Sequence, residues 1–305
     1  SLFTLFVSLD IFYQFIFGKD IFGFEPTSAR KFSGPFGNEF IAGGYLQRFA
    51  LFSFFLFPFI FKINNKIYLS IIYIILFLIY LTALVLSGNR MPLILFVFMT
   101  ILIFIFEKNI RKYLIFKIAT IIIICTALAN SNDLIKSNFS NFFTQVKSIS
   151  KILTTSEINK SGMNSYFHEF KTFYGTWLMN KYIGGGVKSF RINCWERQNI
   201  KVGERTTCNT HPHNYYLEIL SDLGLVGFFI LLVIFSMVLY ISFSKKYLMF
   251  SSNQSNNILT PFMFLFFIEI FPLKSTGSFF TTSNATFLFF VLAITIALSR
   301  KLDLN

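Results

Sequence analysis

Charge is scarce in this chain: 13% of its 305 residues are Asp, Glu, Lys or Arg, against 54% hydrophobic. With a mean hydropathy of +0.61, that shortage excludes an ordinary soluble domain. Acidic residues are the scarcer sign, 14 against 27 basic, for a net charge of +13. The basic residues are spread over connections between apolar runs rather than along one soluble face, which argues against nucleic acid as a partner. Histidine and cysteine occur three times each. No C-x-x-C or H-x-x-x-H spacing is present, so nothing in the pattern demands a metal. An initiator Met and a basic, cleavable leader are also missing. The chain opens directly on an apolar segment, so upstream helices are expected and a signal peptide is not.

What is present is a series of long apolar runs. Eight spans are expected, near 1–17, 45–61, 67–87, 91–106, 113–129, 214–243, 258–273 and 285–299. Segments of this length and character cross membranes as α-helices. The fold class expected is therefore all-α: a polytopic transmembrane helical bundle with one long loop outside the membrane carrying short amphipathic helices. Residues 1–129 would hold transmembrane helices with a loop at 18–44. Residues 130–213 would form the large loop, and 214–305 the C-terminal helices. Pro58 is expected to kink the second span, which membrane helices tolerate.

Orientation follows from short connections. Lys62, Lys66, Lys108, Arg111, Lys112, Lys117, Lys245, Lys246, Arg300 and Lys301 share one side, whereas the opposite short connections hold Arg90 and Lys274. The first side is cytoplasmic by the positive-inside rule. Segments 18–44, 88–90, 130–213 and 274–284 then lie outside. Within the long loop, apolar residues at 165–182 recur every three or four positions. That spacing suits an amphipathic helix on the membrane surface, stopped by Gly184-Gly185-Gly186. A phosphate-cradling backbone is the weaker reading of those glycines.

Within the spans, Asp10 and Glu269 stand out as ionisable residues. Unusual polar residues gather instead on the outer face: Arg30, Glu39, Arg48, Arg90, Arg191, His211 and His213. Chemistry at an interface fits that distribution better than conduction through the bilayer, where ionisable groups sit near the midplane. Cys125 falls in a span and reads as packing. Cys194 and Cys208 fall in the outer loop, where an oxidising compartment favours a disulfide. A zinc site with His211 and His213, or free thiols, remain open alternatives. His168 reads as an interfacial side chain.

The run His211-Pro212-His213-Asn214 lies where the polar loop gives way to an apolar helix. Histidine is the usual proton-transfer side chain near neutral pH. A helix starting near His213 would bring Gly224 back to the same face, with Gly227 close by. Those glycines would let another helix approach and anchor the end that presents His213.

His213-Asn214, nine residues, Gly224, two residues and Gly227 resemble the signature of the bacterial O-antigen ligase family. Ser87-Gly88-Asn89-Arg90 is similar to that family's S-G-x-R turn. The segment from Arg30 through Gly34, Phe36 and Glu39 to Gly43-Gly44-Tyr45-Leu46 resembles its first outer loop. Gly185-Gly186-Val187, Phe190-Arg191, Cys194 and Cys208 resemble the end of its large loop. Members carry more spans than are read here, which again implies helices upstream. The resemblance implies transfer of a glycan from undecaprenyl diphosphate to an acceptor sugar, without cofactor or metal. His213 would be the general base. Arg30, Arg90 and Arg191 would hold the diphosphate, with His211, Asn214 and Glu39 as further substrate contacts and Gly224 and Gly227 structural. Lipid A–core as acceptor makes a ligase; a second lipid-linked repeat makes a polymerase. A lipid-linked glycan transporter is the reading from another class. Membrane lipids are the remaining expected partner.

Overall fold

The computed structural model describes residues 2–26, 31–61, 66–106, 165–196, 208–249, 258–275 and 277–301, with scattered positions between 119 and 144. Regular structure among them is helical: α1 Leu2–Phe17, α2 Ala42–Ile60, α3 Lys66–Leu86, α4 Arg90–Phe106, α5 Ser165–Trp177, α6 Phe190–Glu196, α7 Tyr215–Phe243, α8 Leu259–Glu269 and α9 Thr282–Lys301. Short 3-10 turns fill Gly34–Phe36 and Leu178–Asn180, and a π-helical turn, Ser244–Met249, follows α7. Three described helices are long and apolar enough to cross a membrane, at Tyr68–Leu86, Tyr215–Tyr247 and Thr282–Arg300. Leu2–Phe17, Arg90–Ile103 and Leu259–Glu269 are apolar but shorter. The expected span at 113–129 and Cys125 lie largely outside the described residues. Most of the other expected spans fall on a helix within a few residues, because an apolar run must satisfy its backbone internally. Helix α2 continues through Pro58.

The described residues form two compact units, the first Ser1–Phe143 with Ser255–Phe264 and the second Thr144–Gln254 with Leu265–Asn305. In the first, α1, α2, α3 and α4 pack together. Tyr80 donates to Ser53 Oγ at 2.6 Å, tying α3 to α2, and the Phe77 and Phe96 rings stack 6.1 Å apart between α3 and α4. Asp10 is fully buried on α1, where it accepts from the Ile21 amide at 2.8 Å. One turn on, Gln14 accepts from the Gly34 amide at 3.0 Å. These two side chains fold the following loop back over α1. An isolated polar group in an apolar helix is costly unless bonded in this way.

In the second unit, α5 and α6 pack on each other and on α7, which also packs on α9. Phe173, Phe190 and Cys194 form a small core, joined by Trp177, Cys208, Leu217 and Leu220. The apolar spacing of α5 thus serves two faces. Phe173 and Trp177 turn inward, whereas Phe170, Tyr174 and the following Leu178 are exposed.

Candidate functional site

Helix α7 does not begin at His213. Asn214 has extended backbone (φ −150°, ψ 132°) and caps the helix, accepting from the Tyr216 and Leu217 amides. Its amide nitrogen donates to Pro272 O at 2.7 Å and Lys274 O at 3.3 Å. Both ends of the side chain are therefore engaged in holding the start of α7 to the turn after α8. Tyr216 reinforces the tie by donating to Ile270 O. Glu218, buried, accepts from the Ser278 hydroxyl and the Phe279 amide. Asn214, Tyr216 and Glu218 thereby clamp residues 270–279.

His213 lies just before that cap. It is exposed and holds a left-handed backbone, φ +50°, a conformation that costs a residue other than glycine roughly 1–2 kcal/mol. The His211 ring meets it edge-on, with centroids 4.5 Å apart, and His211 Nδ1 lies 3.0 Å from the Thr210 hydroxyl. Upstream, Cys194 and Cys208 form a disulfide with Cα atoms 5.7 Å apart. That bond ties the start of the segment leading into the histidines to α6.

The expected stripe of His213, Gly224 and Gly227 on one continuous face does not form. His213 is outside the helix, and Gly224 breaks it with φ +64° and ψ −167°. A loop fills the break. The amides of Gly185 and Gly186 donate to Ser221 O and Asp222 O, while the Leu225 and Val226 amides donate to Lys181 O and Tyr182 O. A helix break orphans just such groups. Gly184 and Gly224 permit the approach: a Cβ on Gly224 would lie 2.3 Å from Tyr182 O, and one on Gly184 2.3 Å from Asp222 O. Gly227 lies against Leu223 of its own helix. The glycine run at 184–186 is accordingly occupied with carbonyls, not open to a phosphate.

Asp222 extends the joint. Its carboxylate accepts from the Lys188 and Phe190 amides and the Ser189 hydroxyl, capping α6, whose second residue is the exposed Arg191. Glu218 and Asp222 are what the apolar-run reading passed over. The available signal was two carboxylates four residues apart at the head of an apolar helix, which is costly without partners. Glu269 is matched similarly: Lys274 Nζ lies 2.6 Å from its carboxylate, both side chains buried.

The first unit holds the other predicted residues. Arg90 starts α4, and Glu39 is exposed on the loop before α2. Arg30 lies outside the described residues. The two motif segments of this unit do meet. A Cβ on Gly43 would lie 2.6 Å from Asn89 Cβ and 2.8 Å from Ser87 Oγ, and the Phe32 amide donates to Leu86 O at 3.3 Å. The turn before Arg90 is thus packed against the Gly43-Gly44-Tyr45-Leu46 segment. His168 lies on α5, with its side chain outside the described part. No group of three or more His, Cys, Asp or Glu side chains suited to a metal occurs among the described residues.

The sequence model of the O-antigen ligase family matches residues 75–232. The chain belongs to the O-antigen ligase family. That makes it a membrane glycosyltransferase of the O-antigen ligase/polymerase type, acting on lipid-linked glycan. The matched part of this family member contains Arg90, Arg191, both histidines of the pair, the disulfide and the Gly224 break, while Arg30 and Glu39 precede it. No curated protein matches the chain.

Proposed function

We propose that this chain is an O-antigen ligase. It takes an O-antigen-type glycan from undecaprenyl diphosphate and joins it to lipid A–core at the periplasmic face of the bacterial inner membrane. Residues 130–213 are then the large periplasmic loop between the helices of 1–129 and those of 214–305.

The observation that carries this reading is the posture of His213. An exposed imidazole, held in a left-handed backbone between Pro212 and a fully engaged cap, abuts a second imidazole. Backbone strain of that kind is retained where a side chain must be presented in one direction. His213 removes the proton from the acceptor hydroxyl. The hydroxyl oxygen attacks the anomeric carbon as its bond to the diphosphate breaks, and the departing diphosphate keeps the electron pair. Attack opposite the leaving group inverts the anomeric centre. Arg90, Arg30 and Arg191 are assigned to the diphosphate, since guanidinium groups stabilise accumulating phosphate charge. His211, Asn214 and Glu39 are assigned to the sugars, Asn214 through its neighbourhood, as its own polar atoms are engaged. A diphosphate leaves readily, so neither a metal nor a general acid is required.

Incubation of the purified full chain with undecaprenyl-diphosphate glycan and lipid A–core, with and without EDTA, tests the reading. Glycan on lipid A–core with EDTA present is expected. A ladder of lengthening lipid-linked chains would make the protein a polymerase instead. Passage of lipid-linked glycan across liposomes without either product would make it a transporter. Full turnover by His213→Ala would remove the proposed base.

A further inference from the structure

Residues 178–195 carry apolar surface that a water-facing connector does not need. Tyr182 is 62% exposed and Ile183 77%, and Val187, Ile192 and Trp195 of the same segment are exposed as well. Exposed apolar clusters mark a surface that meets a partner or another phase. Leu225 and Val226 donate to Lys181 O and Tyr182 O at 3.0 and 3.1 Å, so the 181–183 corner sits beside the first turn of α7 beyond the break. From that turn α7 presents Val226, Phe229, Ile230, Val233 and Met237, all exposed, every three or four residues. On a helix that crosses a membrane, such a stripe faces acyl chains. The corner is bonded to the turn from which that stripe starts.

We propose that the Tyr182–Ile183 corner, with Ile192 and Trp195 of α6, is immersed in the bilayer that α7 crosses, its occupant being phospholipid. Lys181 Nζ lies 4.8 Å over the Tyr182 ring. Lys188 flanks the same apolar residues in sequence. Basic side chains beside buried apolar stems reach for headgroup phosphates, and Tyr and Trp favour the interfacial depth. The length of α7 agrees. Residues 225–247 run roughly 34 Å at the helical rise, enough for the roughly 30 Å hydrocarbon core. The span is then complete without residues 215–223. The Gly224 break falls at the membrane boundary, and Glu218 and Asp222 stay on its water side, where their burial in protein carries no lipid penalty.

The chain has two tryptophans, of which Trp177 belongs to the α5–α6 core. The full chain carrying Trp177→Phe, reconstituted in phosphatidylcholine brominated on the acyl chains near the headgroup, isolates Trp195. Its emission should drop by about half or more relative to unbrominated lipid, as for a side chain 5–10 Å below the surface, and aqueous iodide should have little effect. Quenching by iodide without quenching by bromolipid would put the corner in water and overturn the proposal. Insensitivity to both would mean that protein covers it, a second copy or another segment of this chain, and would overturn it equally. If Trp177→Phe does not fold, Trp195→Phe in the natural background reads the same quantity by difference. A bromolipid quench no smaller than that of the unsubstituted chain would then refute it.

Discussion

Replacing Gly224 with Ala should take the joint between α7 and residues 181–186 apart. At φ +64° the new side chain meets a left-handed penalty of roughly 1–2 kcal/mol. Its Cβ would also stand 2.3 Å from Tyr182 O, 2.4 Å from Tyr182 C and 2.5 Å from Gly184 N. These are backbone atoms, which cannot swing aside like the end of a side chain. Relief requires the loop to retreat; of the four hydrogen bonds that cross the break, the two from Leu225 and Val226 are replaced within a straightened helix and the two from Gly185 and Gly186 are lost, each worth about 0.5–1.5 kcal/mol net. Alanine also favours the continuous helix by about 1 kcal/mol. Even the low end of that sum, about 3 kcal/mol, raises opening of the joint by roughly a hundredfold. The direction of relief leaves a signature in amide hydrogen exchange. In a straightened α7 the Leu225 and Val226 amides would turn to Ser221 O and Asp222 O and keep their protection. The Gly185 and Gly186 amides would be left without those carbonyls and should exchange about a hundredfold faster. Glycan transfer should fall with them, because Asp222 also caps the helix that bears Arg191. Unchanged protection at Gly185 and Gly186 in Gly224→Ala would refute this account of the break.

Three further outcomes follow from named contacts. Paired Cys194→Ser and Cys208→Ser substitutions remove a link closing a separation of 14 residues and should cost about 3 kcal/mol, read as lower thermal stability, with faster exchange at Thr210 and His211. Lys274→Met leaves Glu269 buried without its ion-pair partner and should cost about 3–5 kcal/mol, whereas adding Glu269→Leu should restore most of it; equal melting temperatures for the two variants would count against the pair. Asp222→Ala removes the cap of α6 and should cost about 1–2 kcal/mol, raising KM for the lipid-linked donor more than it lowers kcat if Arg191 binds the diphosphate, and Asp222→Asn should recover part of the loss.

Composition and apolar patterning were enough to establish that this is an all-helical membrane protein, and where most of its described helices lie. Apolar runs longer than a globular core needs have one physical solution in lipid, a helix that bonds its own backbone. The sequence also carried the family signature, since His213-Asn214 and the two glycines stand at fixed spacing whatever they do in space. Cys194 and Cys208 were legible as partners from the compartment that the charge pattern implied. The purpose of that spacing emerges only once the chain is folded. Periodicity extrapolates one helix from His213 through Gly227, because it cannot sense a single glycine adopting φ +64°. That backbone is stable only because a loop forty residues upstream supplies the amides and carbonyls that the break orphans. For the same reason Glu218 and Asp222 were invisible as anchors. A carboxylate in an apolar run is an anomaly until its partners, Ser278 and Phe279 for one and the start of α6 for the other, have been folded against it.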